Sequence, residues 1–370
     1  MLRTRLSSSG AYWLLVALVL APVGRARDGQ AAPSLAPAAS TPPGAAPRSA
    51  HEVAPKELFE IERVVDGDTL WIRRKGAVEK LRLLSVDTEE RLGKGHTASD
   101  TKPQTVFGEE TALWAQDVFA KLAKEGEKAR VGLVFPGGRE QRDVYGRLLC
   151  HVLLPDGSDY NLLLVRSGRS PYFDKYGRDE LDHAAFARAE DEARKAELGI
   201  WSPKTNVAAT PGEPSARRPY DRLIPWWRAR AEAIESFRKR KAEKPELSFH
   251  AEDKDGLARA VAAGKEVEVF GEVGRTFDEQ NGYLTVLLRG ADAEHDVRVR
   301  IAADAKSAHA SLDFAALGAE FRQNYVWVRG KLEAGGRGLQ MRTDGAQRWT
   351  KAGPEPKFAA TNAPAGAGAR

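Results

Sequence analysis

Residues 59–90 read FEIERVVDGDTLWIRRKGAVEKLRLLSVDTEE, and this stretch decides the fold. Apolar and polar residues alternate in three short runs, which predicts three β-strands. The acidic turn Asp66-Gly67-Asp68 separates the first two runs, and Lys75-Gly76 separates the second from the third. A second acidic group, Asp87-Thr88-Glu89-Glu90, follows the third run. If the last two strands pair as a hairpin, both acidic groups lie at one end of the sheet.

Short strands and helices continue as far as residue 202. Further strands are predicted at 131–135 and 148–154, and helices at 108–124, 161–167 and 179–197. Three strands, a helix, two strands and terminal helices suit a small five-stranded Greek-key barrel. We therefore predict one barrel domain over residues 57–202.

The rest of the chain divides where its composition changes. Residues 203–247 are predicted to be a basic connector with a helix over 228–244. Residues 248–350 repeat the order of three strands, a helix and two strands, with the helix in the helix-prone stretch 302–321. The chain is thus predicted to be mainly β with helices, an α+β protein with two small barrels. Residues 351–370 are predicted to be a disordered tail.

The first 26 residues are predicted to direct export. Arg3 and Arg5 precede the uncharged apolar run 11–23, and small residues follow it, which indicates a signal peptide over 1–26. A disordered Ala- and Pro-rich linker is expected over 27–56. The protein is then periplasmic, secreted or envelope-associated. An uncleaved signal is the alternative that would attach the protein to the envelope.

Composition excludes several classes of protein. Of the 370 residues 42% are hydrophobic, which is too many for a chain that is disordered throughout. The single cysteine, Cys150, excludes an internal disulfide and a multi-cysteine zinc site, and its apolar neighbours predict a buried strand residue. The net charge of +5 is no evidence for nucleic-acid binding, because residues 57–202 are net acidic.

The converging acids predict a site for a hard cation. Asp68 and Asp87 would lie together at one sheet end, and clustered carboxylates without a partner are costly. Arg82, inside the third strand, and Arg147, just before the strand at 148–154, add two guanidinium groups. Two arginines beside metal-bound carboxylates suit phosphodiester chemistry, because they hold the phosphate and stabilise the charge of the transition state.

Six ordered motifs between residues 62 and 202 resemble the thermonuclease, or staphylococcal nuclease-like, family. They are VVDGDT (64–69), LRLLSVDTEE (81–90), FGEETA (107–112), RDVYGR (142–147), LVRSG (164–168) and GIWS (199–202). The resemblance implies an OB-fold barrel and a calcium-dependent hydrolase of DNA and RNA. The implied fold agrees with the predicted strand order.

The resemblance also implies a role for each matching acidic residue. Asp68 and Asp87 would bind Ca²⁺ through their carboxylates, and Thr88 would bind it through its backbone carbonyl. Asp66 would support these ligands from behind. Glu90 would orient or deprotonate the attacking water as the general base.

The matching basic and aromatic residues would contact the substrate. The resemblance makes Arg82 and Arg147 the phosphate-binding arginines and puts Tyr145 near the nucleotide. Tyr172 and Tyr176 lie in a segment that does not align securely with the family, and they are candidates for stacking on bases.

Two features depart from the family or extend beyond it. Glu89 stands where the family usually has proline, which adds a charge that could compete with Glu90. The second block resembles OB-fold nucleic-acid-binding domains through residues 267–273 and 326–333. Basic and aromatic residues there, including Trp327 and Arg329, could form a strand-binding face. A spacer or partner-binding module is the equal alternative.

Two hypotheses for the function follow. The first is an exported calcium-dependent endonuclease that hydrolyses DNA, RNA or both with low sequence specificity and needs no obligate protein partner. The alternative is a non-catalytic tandem OB protein at the cell envelope that binds nucleic acid or protein.

Overall fold

The computed structural model describes residues 51–93, 99, 101–207, 216–317, 323–336 and 338–352. Within these residues the chain forms two closed β-barrels, built on sheets of six and seven strands, with helices between and around them. The predicted signal peptide, most of the linker and nearly all of the tail lie outside the described residues. No helix within the described ranges is long and apolar enough to cross a membrane.

The first barrel closes through a parallel strand pair. Its strands are β1 (Phe59–Val64), β2 (Thr69–Arg74), β3 (Ala77–Leu83), β4 (Arg130–Val134), β5 (Gln141–Arg142) and β6 (Leu148–Leu153). Its helices are α1 (Val106–Leu122), α2 (Tyr160–Arg166) and α3 (His183–Lys195). The sheet runs β3-β2-β1-β4-β6-β5, and β6 also pairs with β3, which closes the barrel. The predicted strand order is therefore confirmed.

Alternating apolar side chains fill this barrel. Leu70, Ile72 and Leu81 have no exposed surface, and burial of each such side chain stabilises the fold by about 1.5–3 kcal/mol. Cys150 in β6 is also fully buried, as predicted. Gly108 in α1 permits a close approach, because a Cβ atom there would lie 2.1 Å from the carbonyl oxygen of Glu90. The absence of a side chain thus lets the start of α1 support the acidic segment.

The second barrel repeats this closure with antiparallel strands β8 and β11. Its elements are β7 (Ser248–His250), α5 (Lys254–Ala263), β8 (Glu266–Asp278), β9 (Leu284–Leu288), β10 (Val297–Ile301), α6 (Phe314–Leu317), β11 (Tyr325–Gly335), β12 (Gly338–Thr343) and β13 (Trp349–Lys351). The long helix predicted over 302–321 is wrong for its described part, which forms short 3₁₀ turns and α6.

The connector helix α4 (Tyr220–Glu243) starts eight residues before its predicted first residue and contains Pro225. Its first turns are held by burial, because Leu223, Ile224 and Trp227 form an apolar cluster against Phe173. This packing outweighs the backbone hydrogen bond that a proline inside a helix cannot donate.

Two of the predicted strand-binding residues of the second barrel, Trp327 and Arg329, make internal contacts. Trp327 is fully buried against Ile234 of α4. Arg329 contacts the buried Glu268 at 2.5 Å. These side chains join the barrel to itself and to α4, so they do not form an open nucleic-acid-binding face.

Arg230 of α4 ties the two barrels together. It is 1% exposed and donates to Oε2 of Glu272 and to the hydroxyl of Tyr325, each at 3.0 Å. It also donates to the carbonyl of Lys175, which belongs to the first barrel, at 3.3 Å. A buried guanidinium with partners on both sides fixes the position of α4 between them.

Replacing Arg230 should therefore destabilise the fold. We expect Arg230→Met to lower the free energy of unfolding in urea by about 3–5 kcal/mol, because it removes one partner of a buried ion pair. Glu232→Gln, on the exposed face of the same helix, should change it by less than about 0.5 kcal/mol. Equal effects of the two substitutions would contradict this role.

Candidate active site

Both acidic segments of the first barrel lie at one end of the β2–β3 hairpin. Thr69 in β2 is the register partner of Arg82 in β3, and the amide of Leu83 donates to the carbonyl of Asp68 at 3.1 Å. The turn with Asp68 therefore lies beside the segment that follows β3 and contains Asp87. The acids converge where the predicted hairpin places them.

Arg82 joins the two acids. Its guanidinium contacts Oδ2 of Asp68 and lies 2.7 Å from Oδ1 of Asp87. The two aspartates are 2% and 5% exposed, and carboxylates buried to this degree stay charged only beside a cation. The amide of Thr88 donates to Oδ2 of Asp68 at 2.9 Å. Asp66 lies behind them, and its Oδ1 accepts from the amide of Asp68 at 3.1 Å.

Two further cations hold these acids, and sequence reasoning missed both. Nζ of Lys102 lies 3.0 Å from Oδ1 of Asp87 and 2.8 Å from Oε1 of Glu90. Arg218 contacts Oδ2 of Asp87 and donates to the Asp87 carbonyl at 3.0 Å. Lys102 lies in a loop without periodicity, and Arg218 is 131 residues from Asp87 in the chain. No local motif links either residue to the acids.

The local charges shift the pKa values of the acids in opposite directions. Burial and the neighbouring charge of Asp68 raise the pKa of Asp66 to about 7. Burial would also raise the pKa of Asp87, but Arg218, Lys102 and other basic charge hold that pKa well below its usual range. Asp87 is therefore an anion at neutral pH, as a ligand of a hard cation must be.

The donor set fits a hard divalent cation. Four carboxyl groups line one cleft, and they belong to Asp66, Asp68, Asp87 and Glu90. Carboxylate and backbone carbonyl oxygens are the ligands that calcium and magnesium prefer. In this structure three basic side chains contact these acids, and a divalent ion would take over the contacts that Lys102 now makes with Asp87 and Glu90.

The acids open into a groove of ≈ 810 Å³ with aromatic residues in its lining. Arg147 lines the groove and donates through Nε to Oδ2 of Asp143 at 2.7 Å. Its guanidinium lies 5.4 Å from the centre of the Tyr145 ring, which belongs to an 80% exposed residue. Tyr176 lines the same groove and is 66% exposed. The structure thus brings Arg147 and two of the three candidate tyrosines close to the acids.

Tyr172 lies in the core, and the predicted stacking role is wrong for this residue. Its side chain has no exposed surface, its hydroxyl accepts from the amide of Asp179 at 2.7 Å, and its ring packs against Phe186. A nucleotide base cannot reach it. The surrounding segment does not align with the family motifs, so spacing could not distinguish this tyrosine from the exposed Tyr176.

Glu89 does not compete with Glu90 for the site. Its buried carboxylate accepts from Oγ1 of Thr105 at 2.6 Å and from Nδ2 of Asn206 at 2.7 Å. Glu90 lines the groove and contacts Lys102. Glu89, which stands where the family usually has proline, therefore supports the start of α1.

A second cluster, made of His51, His151 and Asp159, brings three possible metal-ligand atoms within 4.8 Å of one another. Oδ2 of Asp159 lies 2.7 Å from Nε2 of His51 and 2.8 Å from Nδ1 of His151. The other ring nitrogen of His151 lies 3.0 Å from Oδ2 of Asp179. Burial would lower the pKa of His151, but the two carboxylates raise it to about 10. In this structure the charged imidazole and its carboxylate partners form a buried ion network.

Residues 80–203 match the family described as staphylococcal nuclease homologue. The chain is 33% identical over 150 residues to the thermonuclease of Staphylococcus intermedius, and the match covers 39% of this chain and 76% of that protein. This chain belongs to the staphylococcal nuclease family. It is also 33% identical over 159 residues to an endonuclease of Bacillus subtilis, which covers 42% of this chain and 12% of that protein. An uncharacterized endonuclease of Escherichia coli is 27% identical over 142 residues, 38% of this chain and 75% of that protein.

These relatives confirm the predicted family and the prediction of a nuclease-type domain. The matched region, residues 80–203, runs from within β3 to the end of the first barrel domain and includes Arg82, Asp87, Glu90 and Arg147. It ends before α4 and the second barrel. The chain spans 12% of the Bacillus relative, so the activity of that whole protein does not transfer to this one.

The His151 network makes a prediction about stability and pH. The raised pKa of His151 means that its charge stabilises the fold fully below about pH 6.5, and this stabilisation is lost as the pH rises through about 10. We expect His151→Gln to lower the free energy of unfolding at pH 7 by about 3–5 kcal/mol. In urea denaturation, the difference in the free energy of unfolding between the wild type and this variant should disappear between pH 7 and 10. If Zn²⁺ stabilises the wild type and not the variant, the cluster is a metal site instead.

Proposed function

We propose that this protein is a calcium-dependent endonuclease that hydrolyses the phosphodiester bonds of DNA, RNA or both with low sequence preference. The observation that carries the proposal is the contact of Arg82 with both Asp68 and Asp87, at the end of a groove that also contains Glu90 and Arg147. This arrangement combines acids for a cation with guanidinium groups for a phosphate.

Each residue of the site has a part in hydrolysis. Asp68, Asp87 and the backbone carbonyl of Thr88 would hold calcium, which polarises a phosphoryl oxygen when bound. Glu90 accepts the proton of the attacking water, because its carboxylate lines the groove. Arg82 and Arg147 bind the phosphate and neutralise the charge that grows on its oxygens in the transition state.

The groove supports low sequence preference. Tyr145 and Tyr176 expose most of their ring surface beside the acids. Stacking on an aromatic ring accepts every base, because each base has a π-face. Arg147 and Lys175 add positive charge along the same wall, where it can follow a phosphate backbone.

We further propose that the protein is exported through residues 1–26 and that calcium outside the cytoplasm supports its activity. The basic start and the short apolar run support this proposal. N-terminal sequencing of the protein recovered outside the cytoplasm should show cleavage after residue 26. A full-length chain in the membrane fraction would indicate the envelope-associated alternative.

The nuclease proposal makes a direct prediction about two acids. Asp68→Ala and Glu90→Gln should each lower the initial rate of cleavage of single-stranded DNA or RNA in calcium by about 10²–10⁴-fold, because they remove a cation ligand and the general base. Addition of a chelator should remove the wild-type activity. Fluorescence from an end-labelled oligonucleotide with a quencher measures the rate.

The matched control is Glu110→Gln, which changes an exposed acid of α1 outside the groove and should leave the rate unchanged. An inert wild type in calcium would contradict the proposal. Retention of a labelled oligonucleotide in a gel shift without cleavage would favour the non-catalytic binding protein.

A further inference from the structure

Arg218 lies beyond the region that matches the nuclease family, yet it contacts an acid at the centre of the site. We propose that Arg218 is a positioning residue of the nuclease: it orients Asp87 and anchors the loop that carries Lys102. The connector between the barrels therefore completes the active site. This inference rests on the function proposed above.

The contacts of Arg218 fit positioning better than direct contact with a substrate. The side chain is 4% exposed. Its guanidinium binds both the carboxylate and the backbone carbonyl of Asp87. Its Nε donates to the carbonyl of Thr101 at 3.0 Å, next to Lys102 in the chain. The planar guanidinium of Arg218 thus links the connector, the acidic segment and the loop that carries Lys102.

The two carboxylate oxygens of Asp87 have different partners. Oδ2 contacts Arg218, whereas Oδ1 contacts Arg82 and Lys102. A carboxylate held from both sides has one orientation. Because catalytic groups placed about 1 Å away from their productive geometry can lose a hundredfold in rate, loss of this orientation should slow turnover.

Arg218 is itself held by the element that follows it. Its guanidinium lies 5.5 Å and 5.4 Å from the ring centres of Tyr220 and Trp227 in α4. The same helix contacts the second barrel through Arg230 and Glu272. The second barrel is therefore a support for the active site, because it fixes the helix that places Arg218.

The calcium affinity distinguishes a positioning role of Arg218 from a purely structural role. The positive charge of Arg218 opposes a divalent ion at Asp87, because like charges repel. Removing that charge should tighten calcium binding while it slows turnover. A substitution that merely loosens the fold would weaken calcium binding and slow turnover together.

The test compares two substitutions of Arg218 in the full chain. Calcium titration calorimetry measures affinity, cleavage of a labelled oligonucleotide measures kcat and KM, and thermal unfolding checks the fold. Arg218→Met removes the charge and should bind calcium at least about tenfold more tightly, with kcat lowered at least about tenfold. Arg218→Lys keeps the charge and loses the fork, so it should bind calcium as the wild type does and still show the lower kcat.

The matched control is Arg217→Met, which changes the exposed neighbouring residue and should alter neither quantity. The inference about Arg218 is overturned, and the proposed nuclease function stands, if the wild type cleaves in calcium and both Arg218→Met and Arg218→Lys have unchanged kcat and calcium affinity. Weaker calcium binding in both variants also overturns it. A wild type that neither binds calcium nor cleaves overturns the proposed function as well.

Discussion

The structure depends on the cost of placing several carboxylates together at the end of a barrel. Asp68 and Asp87 are almost fully buried, and Asp66 and Glu90 line the same groove. Such a group is stable only if cations approach it from other parts of the chain. The first barrel supplies one of these cations within a strand, a loop supplies the second, and the connector supplies the third.

This requirement links the site of the first barrel to the connector and to the second barrel. The α4 helix is a rigid bridge with buried contacts to both barrels, and it begins two residues after Arg218. The second barrel uses Trp327 and Arg329 to hold the bridge and itself. A small barrel does not by itself show nucleic-acid binding, since function lies in the residues and not in the fold.

The local parts of the site could be predicted from the sequence, and its long-range parts could not. Alternation over residues 59–83 and the turn at Lys75-Gly76 determine the hairpin, and the hairpin brings Asp68 to Asp87. Lys102 and Arg218 reach the same acids only through tertiary packing. No periodic pattern in the sequence around either residue predicts that contact. The start of α4 was missed for a related reason, since burial of Trp227 outweighs the local signal of Pro225.

A crystal soaked with calcium, or with a lanthanide for anomalous scattering, tests the assignment of the cation site to the acids of the first barrel. We expect an ion bound by Asp68, Asp87 and the carbonyl of Thr88, with Lys102 displaced from Oδ1 of Asp87. An ion bound instead between His51, His151 and Asp159 would contradict it. So would the same crystal with no ion at the acids and with Lys102 still on Oδ1 of Asp87.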